Sequence, residues 1–222
     1  VDIVYGTGLI NPLRATNGMI WPYQPTITYS QDVSYTTIDL THTNQEMYAF
    51  NRSNAVKLTI DGPFSVQNQT EGVYAMACIH FLQTVTKMYF GQMDSQSGKA
   101  GTPPPILLFD AYGDYMFNQL PVIVTNFSVT LPNDIDYVPI DTTYLQNGQR
   151  PSMTSTLTSV LQQSSSYIAN QSGSVWLPSM FNISVGITVQ NTPSVLKNSF
   201  SLDAFRSGQL LQNASPTNGG WI

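Results

Sequence analysis

Charge is scarce in this chain of 222 residues. Charged side chains make up 9% of it, where about 25% is usual. Basic residues are scarcest, with Lys and Arg together at 8 against 13 Asp and Glu, for a net charge of -5. That balance, with a pI near 4.6, argues against a protein that grips phosphate backbones. Cysteine is limited to Cys78, which excludes an intramolecular disulfide framework and a cysteine-based zinc site. No apolar run approaches the roughly 20 residues a membrane span needs. No basic stretch followed by an apolar one opens the chain. It begins at Val1 rather than Met, as a fragment or a processed product would. Repeats of fixed period are also missing.

Ser, Thr, Asn and Gln fill the space that charge leaves. Hydrophobic content is 41% and mean hydropathy is -0.08. A chain of this length forms one large domain, or one domain with an insertion. It buries roughly 70% of its unfolded surface and needs no staple for a core.

Val1 to Pro25 mixes Gly6, Gly8, Pro12, Gly18, Pro22 and Pro25 with Ile20, Trp21 and Tyr23. That density of Pro and Gly blocks helix and ladder alike, so an extended arm is expected. It packs on its own domain or reaches a neighbour. Strands are expected at Thr26–Tyr29 and Val33–Leu40, rich in Thr, Tyr, Val and Ile. Ala55–Asp61 alternates strictly, with Val56, Leu58 and Ile60 on one face, and Gly62-Pro63 should end it. Asn68 followed by Glu71 has the form of a capping box. The apolar stripe Tyr74, Ala77, Cys78, Phe81, Leu82, Val85, Met88 and Tyr89 predicts a helix from about Thr70 to Phe90, closed by Gly91.

Met93–Thr102 reads as a polar loop and Ile106–Phe109 as a strand. A turn at Gly113-Asp114 leads to a short return strand, Tyr115–Phe117. In Val122–Leu131, Phe127, Val129 and Leu131 oppose Asn126, Ser128 and Thr130. Ile135–Ile140 should pair back on it after the turn at Pro132-Asn133-Asp134. Asp141–Ser174 is a polar tract, expected to be an insertion or loop. Phe181–Val189 is the last strong strand, with Asn182, Ser184, Gly186 and Thr188 on its polar face. A short apolar segment, Phe200–Phe205, follows. The fold expected is antiparallel β with one amphipathic helix packed on it.

Chemistry is sparse. His42 and His80 lie in different elements, and no nucleophile elbow, Walker loop, dinucleotide fingerprint or zincin motif occurs. Asp110, Asp114, Asp134, Asp136 and Asp141 lack the spacing of a calcium loop, and turn aspartates account for them. Only Glu46 and Glu71 represent glutamate. Cys78 sits on the helical stripe as a small hydrophobe. The sequons at Asn51, Asn68, Asn126, Asn170, Asn182 and Asn213 are near chance in so polar a chain, and Asn126 and Asn182 fall inside strands. No residue is assigned as catalytic, cofactor-binding or metal-ligating, and no enzyme activity, cofactor or small-molecule substrate is expected.

Four ordered blocks carry a resemblance. The first is Gly62-Pro-Phe-Ser-Val-Gln-Asn-Gln-Thr-Glu71 with Tyr74-Ala-Met-Ala-Cys-Ile-His-Phe-Leu82 and Thr86-Lys-Met-Tyr-Phe-Gly91. The second is Gly101-Thr-Pro-Pro-Pro-Ile-Leu-Leu-Phe109 with Tyr112-Gly113. Pro121-Val-Ile-Val124 with Leu131-Pro-Asn-Asp-Ile-Asp-Tyr-Val138 is the third. Leu177-Pro178, the strand to Val189, Phe200-Ser-Leu-Asp-Ala-Phe205 and Gly208 form the fourth. Over about residues 26–222 the chain resembles the baseplate tube proteins of contractile-tailed bacteriophages, the tail tube initiator and the baseplate tube cap. The arm and the 141–174 tract match nothing in that pattern.

The resemblance implies a tail-tube fold, a two-sheet antiparallel sandwich or barrel with one flanking helix. It implies a homohexameric ring in the virion baseplate, assembled in the host cytoplasm, that initiates or caps the tail tube. The partners implied are adjacent tube and baseplate rings, hub and wedge proteins, and viral DNA passing without specific binding. The rival reading of the residues is a β-sandwich that binds carbohydrate or a receptor, in a tail fibre or a secreted protein, with Trp21, Trp176 and Trp221 as platforms on irregular segments. The acidic balance suits a DNA conduit and plain solubility alike.

Overall fold

A computed structural model describes residues 8–90, 100–113, 115–141, 174–212 and 220–222 of the chain. The expectations for Val1–Thr7, Gly91 and most of the polar loop after it, Asp114, the sequons at Asn170 and Asn213, and nearly all of the 141–174 tract lie outside these residues.

The strands are β1 (Thr26–Ser30), β2 (Val33–Ile38), β3 (Met47–Ser53), β4 (Lys57–Ser65), β5 (Leu107–Ala111), β6 (Phe117–Thr130), β7 (Tyr137–Asp141), β8 (Ser174–Pro178) and β9 (Met180–Val189). Helix α1 (Gln69–Val85) follows β4, and short helices α2 (Pro193–Ser199), α3 (Leu202–Arg206) and α4 (Gln209–Gln212) follow β9. The described residues are therefore mainly β, with antiparallel pairing throughout. In place of two packed sheets they form one five-stranded sheet in the order β1-β4-β9-β6-β5 and two separate ribbons, β2-β3 and β7-β8.

Strict alternation places the core. On β4, Leu58, Ile60 and Phe64 are buried, and on β9 so are Phe181, Ile183, Val185, Ile187 and Val189. Their register pairs them: Leu58 with Ile187, Ile60 with Val185, Phe64 with Phe181. β6 must present its apolar residues on the same side, yet its pattern changes parity between Val122, Val124 and Phe127, Val129. A bulge at Thr125 absorbs the extra residue, so Val122 and Val124 face Val189 and Ile187 while Phe127 and Val129 face Val185 and Ile183.

The sheet curls. β1 and β6 stand three places apart, about 14 Å in a flat sheet. Even so, the Tyr29 and Phe117 ring centroids are 6.0 Å apart. The Tyr112 hydroxyl lies 3.5 Å from the Pro25 carbonyl. The curl thus carries the β5 side of the sheet toward β1.

Helix α1 starts as its capping residues dictate. The Asn68 side chain accepts the Glu71 N–H at 2.9 Å. Glu71 reaches back one residue further than expected and accepts the Gln67 N–H at 2.9 Å. The stripe of Ala77, Cys78, Phe81, Leu82 and Val85 is buried and joins the core of the sheet. The helix stops at Val85 rather than Phe90. Thr84 and Thr86 turn their hydroxyls onto the carbonyls of His80, at 2.8 Å, and Gln83, at 3.0 Å, competing with helix continuation. The chain then runs extended, with Gly101 N–H donating to Tyr89 O at 2.8 Å. Met88 and Tyr89 leave the stripe, and Phe90 is 85% exposed.

Several strand bounds also move. β4 continues through Gly62-Pro63 to Ser65 because β1 pairing ends at Thr26 opposite Asp61. Past that point Pro63 has no β1 neighbour to lose. Gly62 lies against the arm: a Cβ there would stand 2.8 Å from Trp21 Cε3. Of the expected return strand, Tyr115 and Met116 lie in a turn and only Phe117 belongs to the long β6, which it opens. β6 crosses Pro121 and carries Gln119 at φ 48, with the Gln119 N–H donating to Asp110 Oδ1 at 2.6 Å. β3 and the C-terminal helices were not anticipated.

The arm, where described, packs on its own domain. Leu13 is fully buried, in a 3-10 turn over Asn11–Arg14. The Trp21 ring stands edge-on to Phe64 at 5.2 Å. Ile20 N–H donates to the Tyr74 hydroxyl at 2.8 Å, and that hydroxyl donates to Ile20 O at 3.2 Å.

β7 pairs with β8, not with β6. Their register runs from Tyr137 opposite Pro178 to Asp141 opposite Ser174. The ribbon is fixed to α1 at two points. The Gln69 side chain donates to Asp141 O at 2.6 Å and accepts the Asp141 N–H at 3.1 Å. At Gly72 a Cβ would overlap Ile140, which is fully buried. Asp141 and Ser174 are register partners, so the two described ends that flank residues 142–173 meet at one place. Replacing residues 142–173 by Asn-Gly, a turn suited to a two-residue hairpin, should leave one cooperative melting transition. Its midpoint should fall by less than about 4 °C, roughly the effect of 1 kcal/mol at this size. Calorimetry of the deleted chain checks this, and failure to fold would mean the segment belongs to the core.

Candidate functional site

The residues with reactive potential are occupied structurally or stand apart. Burial pushes the Cys78 thiol up to about 12, far from nucleophilic range. His42 is exposed between β2 and β3, and His80 lies half-buried on α1. Asp110 holds the Gln119 bulge. The Asp136 carbonyl accepts Ser179 N–H at 2.8 Å. Among the described residues no group of three or more His, Cys, Asp or Glu could hold a metal ion. Trp21 packs on Phe64, and Trp221 is buried with its ring 5.1 Å from Phe200. Only Trp176 is exposed, and it lies on β8 rather than on an irregular segment.

Two surfaces among the described residues bear on function. The first is the outer face of the large sheet. The register sets Thr26, Asp61, Ser184 and Ser128 in one row across β1, β4, β9 and β6. Thr28, Thr59, Gly186 and Asn126 form the next, and Ser30, Lys57, Thr188 and Ile123 the third. Asn182 and Thr130 extend it at one end. All six polar residues singled out in β6 and β9 therefore share one face. Lys57 and Asp61 are the charged members of these rows and offset each other, and β5 adds Asp110 at the edge. The face stays even because Gly186 makes room for Asn126: a Cβ there would overlap the Asn126 amide. Thr125 adds a hydrogen bond to Gly186 O at 3.0 Å.

The second surface is the β2-β3 ribbon, which joins none of the sheet. Register puts Tyr35 opposite Phe50 and Thr37 opposite Tyr48 on one side, and Ile38 opposite Met47 on the other. The Tyr35 and Phe50 rings meet edge to face at 5.9 Å, the chief packing the ribbon supplies to itself. Its large apolar residues are 45% to 63% exposed, from Val33 to Tyr48. A lone two-stranded hairpin is marginal in water, and among the described residues nothing covers the apolar groups on its two sides. Sequence reasoning found β2 but missed this surface, because nothing in the pattern distinguishes a strand awaiting a partner from a strand in a core.

No protein-family model matches the chain, and no curated protein is significantly similar to it.

Proposed function

We propose that the chain is a structural subunit of a ring, a baseplate component of a contractile phage tail that initiates or caps the tail tube around a DNA channel. The observation that carries the reading is the β2-β3 ribbon, apolar on both sides and uncovered by the described residues of its own copy. Such an element belongs to an assembly. The outer sheet face supports the channel. It is polar, nearly uncharged and four strands wide, so it can line water without holding phosphate, whose affinity comes mainly from Lys and Arg. Six copies at -5 each would repel DNA weakly rather than bind it. The packed positions of Trp21 and Trp221 count against the carbohydrate-platform alternative.

Electron microscopy of the purified chain tests this, together with filter binding of duplex DNA at low salt. Sixfold rings with an open centre, and no DNA retained, are the expected results. Particles without rotational symmetry, or tight DNA binding that weakens steeply with salt, would overturn the reading.

A further inference from the structure

The ribbon needs a specific seat, and among the described residues the segment after β9 joins exposed apolar side chains to two exposed bases. We propose that the β2-β3 ribbon of one copy docks on the α2-α3 segment of the next copy. This rests on the ring reading above and names the contact that would build the ring.

The ribbon is acidic as well as apolar. Asp39 and Glu46 flank its distal end, and Asp32 and Arg52 lie at its base, so the ribbon carries three acids and one base. Leu40, Ile38 and Met47 supply exposed apolar surface at that same end. The α2-α3 segment has the complementary character. Lys197 closes α2 and Arg206 closes α3, with Asp203 the one acid between them. Both bases are exposed. α2 buries none of its residues, and Leu196, Phe200 and Leu202 are 48%, 41% and 63% exposed. Helices of 7 and 5 residues are too short to persist without cover. Each surface therefore lacks what the other offers.

The competing seat on the same chain fits worse. Leu108, Tyr112 and Tyr115 are also exposed, but their charged neighbour is Asp110, which would repel an acidic ribbon. A contact between two different surfaces of identical chains is heterologous, and such contacts close into rings when the rotation allows.

Charge reversal tests the pairing. Asp39→Lys with Glu46→Lys should weaken self-association, measured by sedimentation, about tenfold or more, because like charges then meet. Lys197→Glu with Arg206→Glu should do the same. The quadruple variant should recover, and so should an equal mixture of the two double variants. Recovery is the result a merely structural role would not give. A bismaleimide should also link Leu40→Cys chains to Leu196→Cys chains in a mixture, while buried Cys78 stays unmodified. If the natural chain forms rings and both double variants form them equally well, the ring reading stands and this docking falls. No crosslink between the two cysteine variants in assembled rings would likewise overturn it. A natural chain that stays monomeric at every concentration removes both.

Discussion

Phe64→Ala is expected to cost about 4 kcal/mol of stability. Phe64 is 1% exposed, and large-to-small changes at such sites cost about 3–5 kcal/mol. Its neighbours raise the figure within that range. Phe64 stacks on Phe181, its register partner on β9, at 5.7 Å. It also receives the edge of Trp21 at 5.2 Å. Pairs of this kind add about 0.5–1.5 kcal/mol each beyond area. Truncation therefore opens a cavity between two central strands and removes the platform on which the arm rests. A domain holds only about 5–15 kcal/mol in all, so the loss is a large fraction of the total. Urea titration should show a lower midpoint with an unchanged slope. Tryptophan fluorescence should shift to the red as Trp21 loses its cover. A loss below about 1 kcal/mol would mean that the arm and strands re-close over the gap.

The sequence was legible where one rule governed. β9 alternates without interruption, and its buried set is Phe181, Ile183, Val185, Ile187 and Val189, as the period of two requires. Asn68 and Glu71 marked the helix start for a local reason, since both bonds lie within one turn. Where two rules competed, the pattern misled. Met88 and Tyr89 keep the helical spacing, but Thr84 and Thr86 end the helix first. Gly62-Pro63 signals a stop, yet a strand flank without a neighbour accepts it. β6 changes parity at Thr125, and only its pairing with β9 reveals the bulge that keeps its apolar residues on one side. β7 has no local signal for its partner, because β8 lies beyond a long polar tract in sequence.

The candidate site divides in the same way. The polar face was visible residue by residue, since alternation assigns Asn126, Ser128, Thr130, Asn182, Ser184 and Thr188 to the side opposite the core. Its width was not, because the rows depend on β1 and β4 lying beside β9. The ribbon was hidden for a deeper reason. Val33, Tyr35 and Ile38 satisfy every preference of a buried strand, and exposure is a property of what surrounds them.

The outer sheet face offers the test with the largest effect. Thr59, Ser128 and Thr130 are exposed on it, away from the packed pair of Asn126 and Gly186. Replacing all three with Lys adds three positive charges per copy to a face whose charged members are Lys57, Asp61 and Asp110. In the proposed ring that face would surround the channel, so DNA inside would meet the new lysines of several copies at once. Two copies alone supply six phosphate contacts, enough to lose about a thousandfold in affinity between 50 and 200 mM salt. The natural ring should retain no duplex, and the lysine ring should bind it tightly with that steep salt dependence. Topology then separates an inner face from an outer one. Linear duplex can thread a preformed ring, whereas covalently closed circular DNA cannot. Preference of the lysine ring for linear over closed circular DNA is the expected result. Equal binding of both forms would place the face on the outside of the particle, and the polar strands of β1, β4, β9 and β6 would then line no channel.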